Sequence, residues 1–236
     1  ATLGGKSYMF VIVDDYSRFT WVMFIATKDE TFEIFVKFCT KVQYKKCYKI
    51  TEIRTDHGGE FDNYKFEQYC DTIGIDHTFS APRTPQQNGV VERKNRTLVE
   101  MARSMLNEKN LPKYLWAEAI NTACYITNRA LIRPILLKTP YELWKDKKPN
   151  LSHVKVFGCK CFILNTKDHL EKFDSKADEG IFLGYSSDGK SFRIFNKKSL
   201  MVEESVHVMF NENPESNRKS EHTNHDDDVF SKLEKM

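Results

Sequence analysis

The chain has 236 residues, 40% of them apolar, including 17 Phe and 10 Tyr, and a formal net charge of +3. This supplies one core of ordinary size and a smaller second one, but a charge of +3 is too small to mark nucleic-acid binding by itself. No apolar run reaches the length of a membrane span and no basic-then-apolar leader opens the sequence, so neither a membrane helix nor a secretory signal is expected.

The elements follow in order. Tyr8 to Val13 is apolar on both faces, as a central buried strand should be. Asp14-Asp15-Tyr16-Ser17-Arg18 reads as a turn into a second strand, Thr20 to Ile25, so a hairpin is expected. From Lys28 to about Tyr44, Phe32, Phe35, Val36, Cys39 and Val42 recur at helical spacing, with Asp29 or Thr31 as candidate cap. Lys49 to Thr55 is an extended run rich in β-branched residues. Asp62 to Ile73 reads as a helix closed by Gly74, and Ile75 to Phe79 as a short strand.

A loop from Ser80 to Asn88 then delivers the chain to a helix that starts near Glu92 and runs to about Leu106. Pro112 opens another, to about Arg129. Strands followed by helices alternating with strands predict an α/β fold, a mixed sheet flanked by helices. After Pro149 the pattern changes. Short strands at Val154–Leu164, Gly180–Tyr185, Ser191–Asn196 and Ser205–Phe210 predict a small β-barrel-like region. The expected organisation is a core at 1–150, a β-barrel-like domain at 151–212 and a disordered polar tail at 213–236.

The six cysteines show no paired Cys-x-x-Cys pattern with matching histidines, so no structural zinc site is expected. Cys159 and Cys161 read as packing residues. Free thiols in this number point to a reducing, intracellular compartment rather than secretion.

Two acids stand in unusual settings. Asp56 ends the extended run and precedes Gly58-Gly59, which lets backbone or ligand approach closely. Glu92 lies just past Gly89, where a helix begins. Two carboxylates brought together from separate elements suit a hard divalent cation and phosphodiester chemistry. The bland readings are a strand-terminal turn residue for Asp56 and a first-turn acid for Glu92; on context alone the two kinds of reading are close to even. Asn88, Arg93, Lys94 and Arg96 are candidate DNA contacts, mostly to phosphates. Arg96, one turn beyond Glu92, could instead pair with it.

The strings Tyr8-Met-Phe-Val-Ile-Val-Asp-Asp-Tyr-Ser-Arg18, Thr55-Asp-His-Gly-Gly-Glu-Phe61, Thr84-Pro-Gln-Gln-Asn-Gly-Val-Val-Glu-Arg93 and Leu111-Pro-Lys-Tyr-Leu-Trp116 resemble the integrase of copia-type LTR retrotransposons. The likeness continues through Lys138-Thr-Pro-Tyr-Glu-Leu-Trp144, Val156-Phe-Gly158 and Gly180-Ile-Phe-Leu-Gly-Tyr185, as far as about Glu212. It implies an RNase H-like catalytic core followed by a small β-barrel region of a Pol polyprotein. The family's Asp, Asp, Glu triad binds two Mg²⁺ or Mn²⁺ ions; its second Asp matches Asp56 and its Glu matches Glu92.

The first Asp of the family belongs to a strand expected just before residue 1, which makes Asp56 and Glu92 two-thirds of a site. The resemblance further implies 3′-end processing and strand transfer into host DNA. It also implies DNA partners, a homo-oligomer in the intact integrase, and a nuclear or cytoplasmic particle. Two other readings stay open: a catalytically dead DNA- or protein-binding remnant, and another RNase H-like nuclease or transposase that takes Asp14 or Asp15 as its first acid. The resemblance favours a turn role for those two.

Overall fold

A computed structural model describes residues 1–2, 4–80, 85–164, 175–186 and 189–211, with backbone alone at 85–87. The expected polar tail at 213–236 lies outside the described residues. The chain falls into two compact units, Ala1–Glu100 and Met101–Met236. The division lies inside a helix.

In the first unit, β1 (Tyr8–Val13) and β2 (Thr20–Ile25) form an antiparallel pair, with Tyr8 opposite Ile25 and Val13 opposite Thr20. Asp14 shapes their turn. Its Oδ2 accepts from the Ser17 N–H at 2.7 Å and the Ser17 hydroxyl at 2.5 Å, while Asp15 pairs with Arg18. α1 (Thr31–Lys46) follows a short 3₁₀ turn at Lys28–Glu30. Neither Asp29 nor Thr31 caps it. Glu30 fills that region instead, accepting from the Ala26 N–H and pairing with Lys6.

β3 (Glu52–Thr55) pairs in parallel with β4 (Asp76–Phe79), and α2 (Tyr64–Ile73) makes the crossover. α2 begins two residues later than expected because the Asn63 side chain takes the cap, accepting from the Phe66 N–H at 3.1 Å. Gly74, at φ +70°, ends it as expected. That left-handed turn suits a residue without Cβ.

One apolar cluster joins both strand pairs to both helices: Phe10, Phe35, Cys39, Phe66, Cys70 and Ile75 are buried together, with Ile12, Met23 and Ile53 packed against them. Phe66 has no exposed surface, and its ring stacks on that of Phe35 at 4.8 Å. Antiparallel and parallel pairing coexist, as a mixed sheet requires, but in two separate two-stranded pieces. β1 and β3 therefore each present one edge with no strand partner among the described residues.

α3 (Pro85–Glu108) starts well before the expected position near Glu92. Proline at the first helical position carries a preset φ and lacks only an N–H that would be unpaired there anyway. Gly89 and Glu92 are therefore helix-interior residues, which removes the first-turn reading of Glu92.

In the second unit, α4 (Trp116–Ala130) and α5 (Pro140–Lys145) accompany a five-stranded antiparallel sheet in the order β8-β7-β6-β5-β9. Its strands are β5 (Lys160–Leu164), β6 (Ala177–Tyr185), β7 (Phe192–Asn196), β8 (Met201–Ser205) and β9 (Val208–Asn211). β5 is shorter than expected because tight turns occupy the residues before it: the Val154 N–H donates to Leu151 and that of Cys159 to Val156.

The sheet's core is Cys159, Cys161, Ile163, Phe182, Tyr185, Ile194 and Val208. Burial raises the Cys161 thiol to about 12, so it packs as an inert apolar group. α4 is bolted to β6 and β7. The Thr122 hydroxyl donates to the Leu183 carbonyl at 2.7 Å, and Arg193 grips both Glu118 oxygens at 2.7 and 2.9 Å. No helix among the described residues is long and apolar enough to cross a membrane.

Candidate active site

Asp56 follows the last residue of β3, and that strand's end is well secured. The Thr55 carbonyl accepts from the Ser80 N–H at 2.9 Å, and the Thr55 hydroxyl meets His77 Nε2 at 2.9 Å. The Asp56 side chain is exposed, and its Oδ1 accepts the Gly58 N–H at 3.2 Å. The Gly58 carbonyl accepts in turn from the Phe61 and Asp62 N–H groups at 2.8 and 2.9 Å. Phe61 anchors the loop in the core, 5.9 Å from the Phe10 ring and 5.6 Å from the Phe66 ring. His57 stacks on Phe79 at 4.9 Å. The loop is thus pinned at both ends while its acid faces solvent.

Gly58 is closely approached by two acidic side chains. A Cβ there would stand 2.9 Å from the Glu60 carboxylate and 3.1 Å from Asp56 Oδ1. Glu60 is therefore folded back toward the same glycine as Asp56. Lys28, in the 3₁₀ turn before α1, holds it with an ammonium–carboxylate contact of 3.0 Å. Burial opposes the charge on Glu60, but its backbone N–H and Lys28 hold the carboxyl below its usual range. Hydrogen bonding to Glu60 in turn raises the Lys28 ammonium, with smaller contributions from Tyr8 and Asp56. Lys28 and Glu60 escaped the sequence reading. Their pairing spans 32 residues, and only the fold reveals it.

Glu92 lies exposed in the first half of α3, a helix that buries Leu98, Ala102 and Leu106. Asn88, Glu92 and Arg96 are spaced by one turn and so share a face. Asn88 and Lys94 are half-buried, while Arg93 and Arg96 are exposed. Arg93 lies back along the helix, its guanidinium 3.6 Å from where a Gly89 Cβ would stand. Glu92 forms no ion pair with Arg96 among the described residues. No group of three or more His, Cys, Asp or Glu side chains among the described residues is gathered to hold a metal ion. The donor chemistry still fits Mg²⁺ or Mn²⁺, because both candidate ligands are exposed carboxylates with no ion pair among the described residues.

Two family models match the chain. The integrase core domain covers residues 1–85, and the retroviral polymerase SH3-like domain covers residues 159–224. The Pol polyprotein of the tobacco (Nicotiana tabacum) transposon TNT 1-94 is 41% identical over 211 residues, or 89% of this chain and 16% of the polyprotein. That of the Arabidopsis thaliana transposon RE1 is 32% identical over 87% of this chain and 14% of its own length. The chain thus spans about one-sixth of these relatives.

Among solved structures, the HTLV-2 integrase catalytic core domain in complex with magnesium gives a TM-score of 0.43 at 24% identity. It covers 57% of this chain and 82% of its own. A simian T-cell lymphotropic virus intasome in complex with a PP2A regulatory subunit gives 0.49 at 18% identity, covering 83% of this chain and 68% of its own. With an integrase core domain at its start, an SH3-like domain after it and plant relatives across nearly all of its length, the chain belongs to the integrase region of copia-type retrotransposon Pol polyproteins.

Proposed function

We propose that this chain carries part of the active site for metal-dependent 3′-end processing and strand transfer, with Asp56 and Glu92 as metal ligands. The observation that supports this most is the setting of Asp56. A loop fixed by Gly58, Phe61 and the Lys28–Glu60 pair holds one exposed carboxylate just beyond a strand end. Divalent cations held by these carboxylates would supply the charge stabilisation that phosphoryl displacement needs.

The chain's own residues have separate parts. Asp56 presents its free oxygen toward solvent, while the Gly58 N–H fixes the other. Glu92 supplies a second carboxylate from a different element. Asn88 and Arg96, on the Glu92 face, and the neighbouring Arg93 and Lys94 bind and orient phosphates, which costs affinity as salt rises. The acid that the family carries on a further strand would find pairing edges on β1 and β3. Asp14 and Asp15 are engaged in the β1–β2 turn, which speaks against either as that acid.

Strand transfer with end-matched DNA and Mn²⁺ tests the reading, using this chain and the same chain joined to the strand bearing the family's first Asp. The joined protein should be active and D56N and E92Q should each abolish activity, whereas D14N should not. DNA binding with no metal-dependent joining in either protein would support the catalytically dead remnant instead.

A further inference from the structure

The two oxygens of Glu60 have neighbours of opposite charge. Oε1 meets the Lys28 ammonium at 3.0 Å. Oε2 lies 2.9 Å from the point where a Gly58 Cβ would stand, and Asp56 Oδ1 lies 3.1 Å from that same point. Two carboxylates thus converge over Gly58, and one of them is the candidate metal ligand. The Glu60 side chain is 20% exposed and that of Lys28 58%, so the anion is the more shielded member of the pair.

This convergence is fixed from both sides. The Asn63 amide, beside the cap of α2, donates to the Gly59 and Glu60 carbonyls at 3.2 and 3.1 Å. Phe61, next in the chain, packs its ring on those of Phe10 and Phe66. Lys28 stands in a 3₁₀ turn whose last residue, Glu30, accepts the Ala26 N–H and pairs with Lys6. The Asp56 charge is felt at Lys28: Glu60 raises the ammonium most, and Tyr8 and Asp56 add smaller effects of the same sign.

Neighbouring carboxylates repel each other, and a cation close to both is attracted by both. An ammonium set against one of them cancels much of that attraction. The bland alternative is a surface ion pair that only closes the loop between β3 and α2, a kind of contact that contributes little. Loop closure needs the Lys28 contact alone. It does not need the second Glu60 oxygen to approach the same glycine as Asp56.

We propose that the Lys28–Glu60 pair sets the divalent-cation affinity of the Asp56 carboxylate, with Glu60 strengthening the local negative potential and Lys28 offsetting it. Both are positioning residues that act on the ion through its surroundings. The proposal rests on the reading of Asp56 as a metal ligand and adds the device that tunes it.

The test is isothermal titration calorimetry of Mn²⁺ into the whole chain at low and high salt, with D56N as reference. K28M should tighten binding and E60Q should weaken it, each about 3- to 10-fold at low salt and less at high salt. The reversed pair K28E/E60K keeps an ion pair and the net charge but places an ammonium beside Asp56. It should bind Mn²⁺ more weakly than wild type, whereas a purely structural pair would leave affinity unchanged.

Shifts of K28M and E60Q in the same direction, or wild-type affinity in the reversed pair, would overturn the proposal. Should E60Q fold poorly, K28M and the reversed pair decide the matter, with melting temperatures as the check on folding. Binding that D56N abolishes while K28M and the reversed pair match wild type removes only this proposal. Binding that D56N leaves intact removes the metal reading of Asp56, and this proposal with it.

Discussion

The two units handle their polar groups in opposite ways. In Met101–Met236, a five-stranded sheet has its charged side chains tied off: Arg193 to Glu118 and Glu204, Glu179 to Lys160 and Lys197, and the Thr122 hydroxyl to a buried carbonyl. In Ala1–Glu100, two short strand pairs share one core, and the acid at the strand end is left facing water. Two-stranded pairs are marginal alone and depend on what packs against them. The second unit ties its charges into its sheet, whereas the first spends its order on one loop and leaves the candidate ligands Asp56 and Glu92 exposed.

Substitutions can break that contrast. The largest effect should be on chemistry: D56N or E92Q should lower strand transfer at least about 100-fold while moving the melting temperature little, because both side chains are exposed. Phe66→Ala should destabilise the first unit by about 3–5 kcal/mol, read by chemical denaturation, since the ring is fully buried where both strand pairs meet.

Gly184→Ala should cost the second unit about 1–3 kcal/mol. The new methyl would stand 2.2 Å from the Thr122 hydroxyl oxygen on a backbone at φ +146°. Thr122→Val should cost about 1–2 kcal/mol by leaving the Leu183 carbonyl without that donor.

The smallest effect concerns Lys28 and Glu60. The Glu60 carboxyl is held below its ordinary 4.5, so the pair's contribution is present above that pH and lost as pH falls through the lowered value. E60Q should flatten the acid limb of the stability–pH curve, and identical limbs for E60Q and wild type would remove the pair from the account.

Much of this was legible in the sequence because it is local. Gly74 ending α2, the β1–β2 hairpin and the buried Cys161 all follow from nearest-neighbour chemistry. The Thr139–Glu142 capping box that starts α5 is equally local. β8 was missed because Met201 to Ser205 carries two glutamates and little apolar signal. The start of α3 was missed because Gln86, Gln87, Asn88 and Gly89 read as loop until Pro85 is allowed to open the helix. What no local pattern reveals is long-range pairing: Lys28 with Glu60 and Arg193 with Glu118.

The central claim is that Asp56 and Glu92 share divalent-metal binding. Electron paramagnetic resonance of Mn²⁺ titrated into the wild-type chain, D56N and E92Q tests it most directly. Wild type should hold bound Mn²⁺ that both variants lose, with melting temperatures unchanged. Mn²⁺ binding that survives intact in both variants, or is absent from wild type, would contradict it.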